Sequence, residues 1–201
     1  MSGLKSELRK NLLRKRKALG APARRALSRR IASHINGARQ FKSGARVAAY
    51  LPFGSEVDTA HVMRFAQRRG IKLYVPLVVD LRRRKMLFVP LDRRIRPGTQ
   101  RTVGYRPASH HVPVRWFNLI LVPVVGIDAH GHRLGMGAGF YDRALAFRRQ
   151  RARWMGPRTV GLAFDCQRVD SVHPQSWDAR LDAVISESGH AAFNAAAFLT
   201  R

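Results

Sequence analysis

The densest run of chemistry-bearing residue types is Pro123-Val-Val-Gly-Ile-Asp-Ala-His-Gly-His-Arg-Leu-Gly-Met-Gly-Ala-Gly-Phe-Tyr-Asp142, with glycines at 126, 131, 135, 137 and 139. Gly135, Gly137 and Gly139 let backbone approach an oxyanion closely and take positive φ. Unpaired N–H groups at the start of a following helix favour an anion, phosphate above all. The spacing is not a Walker loop, because no Gly-Lys-Ser/Thr follows. Nor is it the dinucleotide fingerprint, because the third glycine falls one residue early. A tight structural turn is the plain alternative. The position behind an apolar strand, with Tyr141 and Asp142 opening a helix, favours a phosphate site.

Only 12 of the 201 residues are acidic, so a well-placed carboxylate is conspicuous. Asp142 suits a magnesium ion accompanying a nucleoside triphosphate, since magnesium takes a few carboxylates alongside phosphate oxygens. It would equally complement a helix dipole. Asp182, near the start of a late strand, is either a second carboxylate ligand or a solvent-facing strand end. The segment Leu51-Pro-Phe-Gly-Ser-Glu-Val-Asp-Thr59 joins a strand end to a helix start. There Asp58 reads as a helix cap, while Glu56 is solvated or pairs with N–H donors of an amino-heterocycle. Asp128 reads as a turn residue. His130 and His132 have ligand-like spacing but no further ligand cluster, and Cys166 reads as a packing residue.

These residues need a scaffold. Leu4, Leu8 and Leu12 recur every four residues, with Lys5, Arg9 and Arg16 on a neighbouring face, which predicts a basic amphipathic helix over 4–19. After Gly20-Ala21-Pro22 a second helix is expected over 23–35, then a strand over 47–51, a helix over 59–69 and a strand over 72–75. That is a βαβ unit with a parallel pair. Further strands are expected at 86–89, 116–122, 160–164 and 181–185, a helix over 140–151 and a long loop over 92–115. The expected fold is a single α/β domain over 1–201, a mostly parallel open sheet with helices on both faces, preceded by two helices.

Composition excludes several classes. At 45% hydrophobic and 25% charged the chain is globular rather than disordered. Its single cysteine forbids an internal disulfide, and no apolar run approaches the ~20 residues of a membrane helix. The basic first 20 residues carry no uninterrupted apolar stretch, so no secretory signal is expected. The 38 Lys and Arg give a net charge of +26, a field that attracts polyanions. Clusters such as Arg82 to Arg84 are read as solvated turn residues distant from the site.

The stretch from Leu119 to Asp142 resembles the signature of the 5-formyltetrahydrofolate cyclo-ligase family, Pro-x-x-Gly-Phe-Asp-x-x-Gly-x-Arg-Leu-Gly-x-Gly-x-Gly-Tyr-Tyr-Asp. Ile127 stands for the first Phe and Phe140 for the first Tyr. Lys5 and Arg9 on the first helix, Glu56-Val-Asp-Thr after the first strand and Trp177-Asp-x-x-Leu-Asp182 before the last follow in family order. The chain departs at Ala138, where relatives carry Lys or Gly, at Trp177, where His often stands, and around Arg106-Pro107, which lacks the usual acidic residue.

The resemblance implies ATP-dependent closure of 5-formyltetrahydrofolate to 5,10-methenyltetrahydrofolate through an N5-imino-phosphate. It implies ATP contacts at Lys5, Arg9, Arg133, Leu134, Gly135, Met136, Gly137, Ala138, Gly139, Phe140 and Tyr141. It implies substrate contacts at Leu51, Glu56, Met136, Gly137, Ala138, Gly139 and Phe140, and magnesium at Asp142 and Asp182. Alignment and charge neutralisation then suffice, and no dedicated catalytic nucleophile is required. A cytoplasmic monomer acting on folate, polyglutamylated or not, is expected, with no membrane partner. The alternative from the charge is a basic nucleic-acid-binding accessory protein on the same fold, or non-specific nucleic-acid binding beside catalysis.

Overall fold

The computed structural model describes residues 2–36, 41–91, 111–150 and 156–193. The expected departure at Arg106-Pro107 lies outside them. The leucine repeat forms α1 (Ser2–Ala18), in which Leu12 is fully buried and Leu4 stays exposed. α2 (Ala21–Asn36) buries Ile31, Ala32 and Ile35, one stripe at helical spacing.

In chain order the strands are β1 (Arg46–Ala48), β2 (Lys72–Asp80), β3 (Lys85–Pro90), β4 (Leu119–Pro123), β5 (Gly126–Ile127), β6 (Arg133–Leu134), β7 (Arg158–Leu162), β8 (Ala183–Ser186) and β9 (Gly189–Ala192). Helix α3 (Ala60–Arg68) joins β1 to β2, and α4 (Phe140–Ala144) follows β6. Seven strands form one sheet in the order β3-β2-β1-β4-β7-β8-β9. The five central strands are parallel, and β3 and β9 return antiparallel on the edges. Val47, Leu73 and Leu121 face α2 and α3, whereas Ala48, Ile120 and Val122 face the side packed by Phe140, Tyr141 and Leu145. Helices therefore cover both faces, as the sequence implies. No helix among the described residues is long and apolar enough to cross a membrane.

The chain leaves β1 toward β2 on one side, and β4 toward β7 on the other. The strand order thus reverses between β1 and β4, and open α/β sheets bind ligands beyond the carboxyl ends of strands at such a switch point. The segments leaving those two ends are 49–59 and 124–139, the two singled out above.

Several boundaries differ from expectation. Val114–Trp116 is a 3-10 turn and β4 starts only at Leu119. Pro113 opens that turn, and Trp116 is exposed rather than packed in the sheet. The helix expected over 140–151 is five residues of α4 followed by a 3-10 stretch, Ala146–Gln150. β9 went unforeseen because Gly189-His-Ala-Ala192 has little strand propensity; pairing with β8 makes it a strand. β5 and β6 form a small antiparallel hairpin inside the glycine-rich stretch.

Candidate active site

Helix α1 lies over the β5–β6 hairpin, where Leu12 packs with Val125, Leu134 and Val172. The approach is so close that a Cβ on Gly126 would sit 2.6 Å from Leu12 Cδ1. Any larger residue at 126 forces the Leu12 side chain, which seats the helix, to shift. Asp128 holds the hairpin tip: its Oδ1 accepts the backbone N–H groups of His130 and His132, each at 3.0 Å. Those histidines are tip residues, and the described residues contain no cluster of three or more metal-ligating side chains.

With α1 seated, its polar face meets the glycine loop. Arg9 Nε donates to the Gly135 carbonyl at 2.8 Å, and its guanidinium carbon lies 3.6 Å from where a Gly137 Cβ would stand. Gly137, at φ +98, takes a conformation closed to most L-residues. Lys5 Nζ pairs with Asp178 Oδ2 at 2.7 Å. The next residue, Ala179, donates its N–H to Asp142 Oδ1 at 3.2 Å and accepts from Arg133 through its carbonyl. Arg133, buried on β6, closes the arrangement with an ion pair to Asp142 Oδ1 at 2.7 Å. The segment 178–179 thus ties α1 to the start of α4. Asp178 lay within the Trp177 motif, but spacing gave no sign that it holds Lys5.

A third α1 cation joins the segments 49–59 and 124–139. Arg16, 4% exposed, donates from Nε to Ser55 Oγ at 3.0 Å and from Nη1 to the Val124 carbonyl at 3.3 Å. Its signal was visible as membership of the Lys5–Arg9–Arg16 face. Glu56, half-buried beside it, accepts the Phe53 N–H at 2.9 Å. Leu51 packs partly buried on the core, whereas Phe53 and Met136 leave apolar side chains exposed on the two loops. The Tyr141 hydroxyl is buried with no hydrogen-bond partner among the described residues. Burial first, and the nearby Glu56 second, push its pKa upward, so it stays a proton donor at neutral pH.

Burial also raises the Glu56 pKa above its ordinary 4.5, opposed by the Phe53 N–H and by Arg16. A raised acid binds protons more readily in the folded state. Ionising Glu56 in the folded protein therefore costs stability: the cost is absent below pH 4.5, grows as pH rises from there and is complete above the higher folded-state value. Glu56→Gln flattens that part of the profile, measured as urea unfolding free energy between pH 4 and 7; an unchanged slope refutes the assignment.

Three expectations are revised. First, Asp182 has protein partners of its own. It precedes β8 at the amino end of the parallel sheet, next to Thr159 in the second position of β7. Arg148 Nη2 binds its two oxygens at 2.7 and 2.8 Å, and Thr159 N–H binds Oδ2 at 2.7 Å with the Thr159 hydroxyl at 3.0 Å. This carboxylate, 4% exposed, is thus already engaged at both oxygens by protein donors. Asp142 differs: its Oδ2 accepts no hydrogen bond from the described residues, and its side chain is 30% exposed. Second, α4 has only five residues, so its dipole is weak. Third, Arg82 to Arg84 are not distant, because Arg143 Nη1 donates to the Arg83 carbonyl at 2.8 Å, docking that turn on α4.

A sequence model of the 5-formyltetrahydrofolate cyclo-ligase family matches residues 1–187. The chain is 31% identical over 147 residues to the 5-formyltetrahydrofolate cyclo-ligase of Escherichia coli K12, covering 71% of this chain and 78% of that one. The corresponding protein of Mycolicibacterium smegmatis is 27% identical over 193 residues, 90% of this chain and 93% of its own. Among solved structures, the 5,10-methenyltetrahydrofolate synthetase of Aquifex aeolicus superposes with a TM-score of 0.75 at 27% identity, over 98% of this chain and 97% of that one. The Mycoplasma pneumoniae synthetase gives 0.72 at 25% identity, over 91% and 98%.

Proposed function

The chain belongs to the 5-formyltetrahydrofolate cyclo-ligase family, and from that premise we propose that it uses ATP and Mg²⁺ to close 5-formyltetrahydrofolate to 5,10-methenyltetrahydrofolate. The observation that carries this reading is the seating of Arg9 on Gly135 and Gly137 beside the switch point of the sheet.

In this reading the formyl oxygen on N5 attacks the γ-phosphorus of ATP and the bond to ADP breaks. N10 then adds to the formyl carbon and loses its proton. The C–O bond breaks with phosphate as leaving group, and the ring is closed. An amide-type oxygen leaves poorly, and its phosphate ester leaves well. The protein's task is to align the two substrates and offset phosphate charge. Lys5, Arg9 and the backbone of 133–141 take the phosphate chain, with Arg133 holding the loop to Asp142. Glu56 accepts from the amino-heterocycle, and Leu51, Phe53, Met136 and Phe140 supply apolar surface for its rings. Tyr141 offers a buried donor beside Glu56. Asp142 Oδ2 would hold magnesium, which supplies charge neutralisation on the phosphates when bound. Asp182 is left to its structural pair. The enzyme acts as a cytoplasmic monomer, on folate with or without additional glutamates.

The test is direct. Purified protein given 5-formyltetrahydrofolate, ATP and Mg²⁺ develops the methenyl chromophore, and omission of ATP abolishes it. A folded protein that shows no turnover refutes the reading. Within it, Asp142→Asn lowers activity at least tenfold, about 1.4 kcal/mol of transition-state stabilisation, and added magnesium restores part of the loss. A magnesium titration identical to that of the unmodified enzyme assigns Asp142 to positioning Arg133 instead.

A further inference from the structure

The turn joining β2 to β3 is Leu81-Arg82-Arg83-Arg84, and it rests on the end of the glycine loop. Arg143 of α4 anchors it through the Arg83 carbonyl at 2.8 Å. Arg84 Nη1 comes within 3.5 Å of where a Cβ on Gly139 would stand. Among the described residues no carboxylate forms an ion pair with Arg84.

The backbone marks the same residue. Arg84 has φ 51, and among the described residues only His173 shares a positive φ without being glycine. The left-handed region is strained for an L side chain, and hairpin turns ordinarily place Gly or Asn there. A guanidinium kept where glycine would relieve strain points to a side chain with a task. Two cations now converge on five consecutive residues, Arg9 at Gly135 and Gly137 and Arg84 at Gly139. An anion with several charged oxygens complements cations gathered on one short loop, and a guanidinium binds such an anion as a fork.

Resting on the reading that residues 133–141 hold the phosphate chain of ATP, we infer that Arg84 is a further phosphate-binding residue. It reaches the glycine loop from the β2–β3 turn as Arg9 does from α1. The occupant is a phosphate of ATP rather than a carboxylate of the folate, because a triphosphate answers both cations at once.

Arg84→Gly removes the guanidinium and the backbone strain together, and Arg84→Asn, which tolerates the same φ, is the second variant. The expected result for both is a rise of about tenfold or more in the KM for ATP, the scale of a lost charge-assisted contact. ATP binding measured by calorimetry without folate weakens equally, the KM for 5-formyltetrahydrofolate is unchanged, and the melting temperature of Arg84→Gly is equal or higher. Ala138→Lys, which places a new cation next to Gly139, restores part of the ATP affinity in the Arg84→Gly background. Arg29→Ala on the exposed face of α2 changes neither constant. An unchanged ATP KM with normal turnover overturns the role of Arg84 and leaves the ligase reading standing. A folate KM that rises while the ATP KM does not overturns it too, by assigning the guanidinium to a folate carboxylate. Absence of turnover in the unmodified protein refutes the ligase reading itself.

Discussion

Replacing Lys5 and Arg9 together with alanine raises the KM for ATP by about 100-fold or more. Each removes a charge-assisted contact to phosphate, worth roughly 1.5–3 kcal/mol, and 1.4 kcal/mol is a factor of ten. Both lie on one face of α1, one turn apart, and that face is pressed on the glycine loop by Leu12 and Gly126. Their present partners sharpen the test. Arg9 is spent on the Gly135 carbonyl and Lys5 on Asp178, so the variant also loosens the loop and the 178–179 segment. A matched loss of charge at Arg29 and Arg30, exposed on α2, leaves the ATP KM nearly unchanged, because exposed charge beyond ~8 Å is screened at physiological salt. Arg82 to Arg84 cannot serve as that control, since their turn docks on α4. If the α2 pair proves as damaging as the α1 pair, total charge governs binding. The +26 protein would then behave as a non-specific polyanion binder, whose affinity falls steeply with salt.

Asp182→Ala lowers the unfolding free energy by about 3 kcal/mol, read from urea denaturation with and without magnesium. The carboxylate is 4% exposed and satisfies Arg148 together with the N–H and hydroxyl of Thr159. Removing it leaves a buried backbone donor unpaired and a cation uncompensated. The loss sits at the low end for a broken buried pair because Arg148, 23% exposed, can rehydrate. Magnesium does not alter the difference between the two proteins. If instead stability is unaffected and activity acquires a magnesium dependence, Asp182 is a metal ligand and Arg148 leaves it during turnover.

These two results separate what can be read along a chain from what needs its fold. The local signals were strong wherever one physical cause dominated. The leucine repeat dictated α1, the apolar run at 119–123 dictated a buried strand, and Asp58 accepts the Ala60 N–H at 2.9 Å where α3 begins, although Thr59 is the cap residue. Gly137 and Gly139 take the expected positive φ, which few other residues permit, whereas Gly135 does not. That 49–59 and 124–139 lie at one edge follows from parallel strands, which put their carboxyl ends together, but their adjacency comes from the pairing of β1 with β4. Partnership was not legible. Asp142 and Asp182 look alike in sequence, each an aspartate beside a regular element, yet one keeps an oxygen with no partner among the described residues and the other has both oxygens engaged by Arg148 and Thr159. Lys5 and Asp178, 173 residues apart, meet only because α1 folds across the hairpin. Arg84 reaches Gly139 only because β2 extends to Asp80 and carries the basic turn to α4. Periodicity and spacing report interactions between near neighbours in the chain. Which carboxylate stays free, and which arginine reaches the glycine loop, depends on contacts between distant segments, and tertiary packing alone determines those.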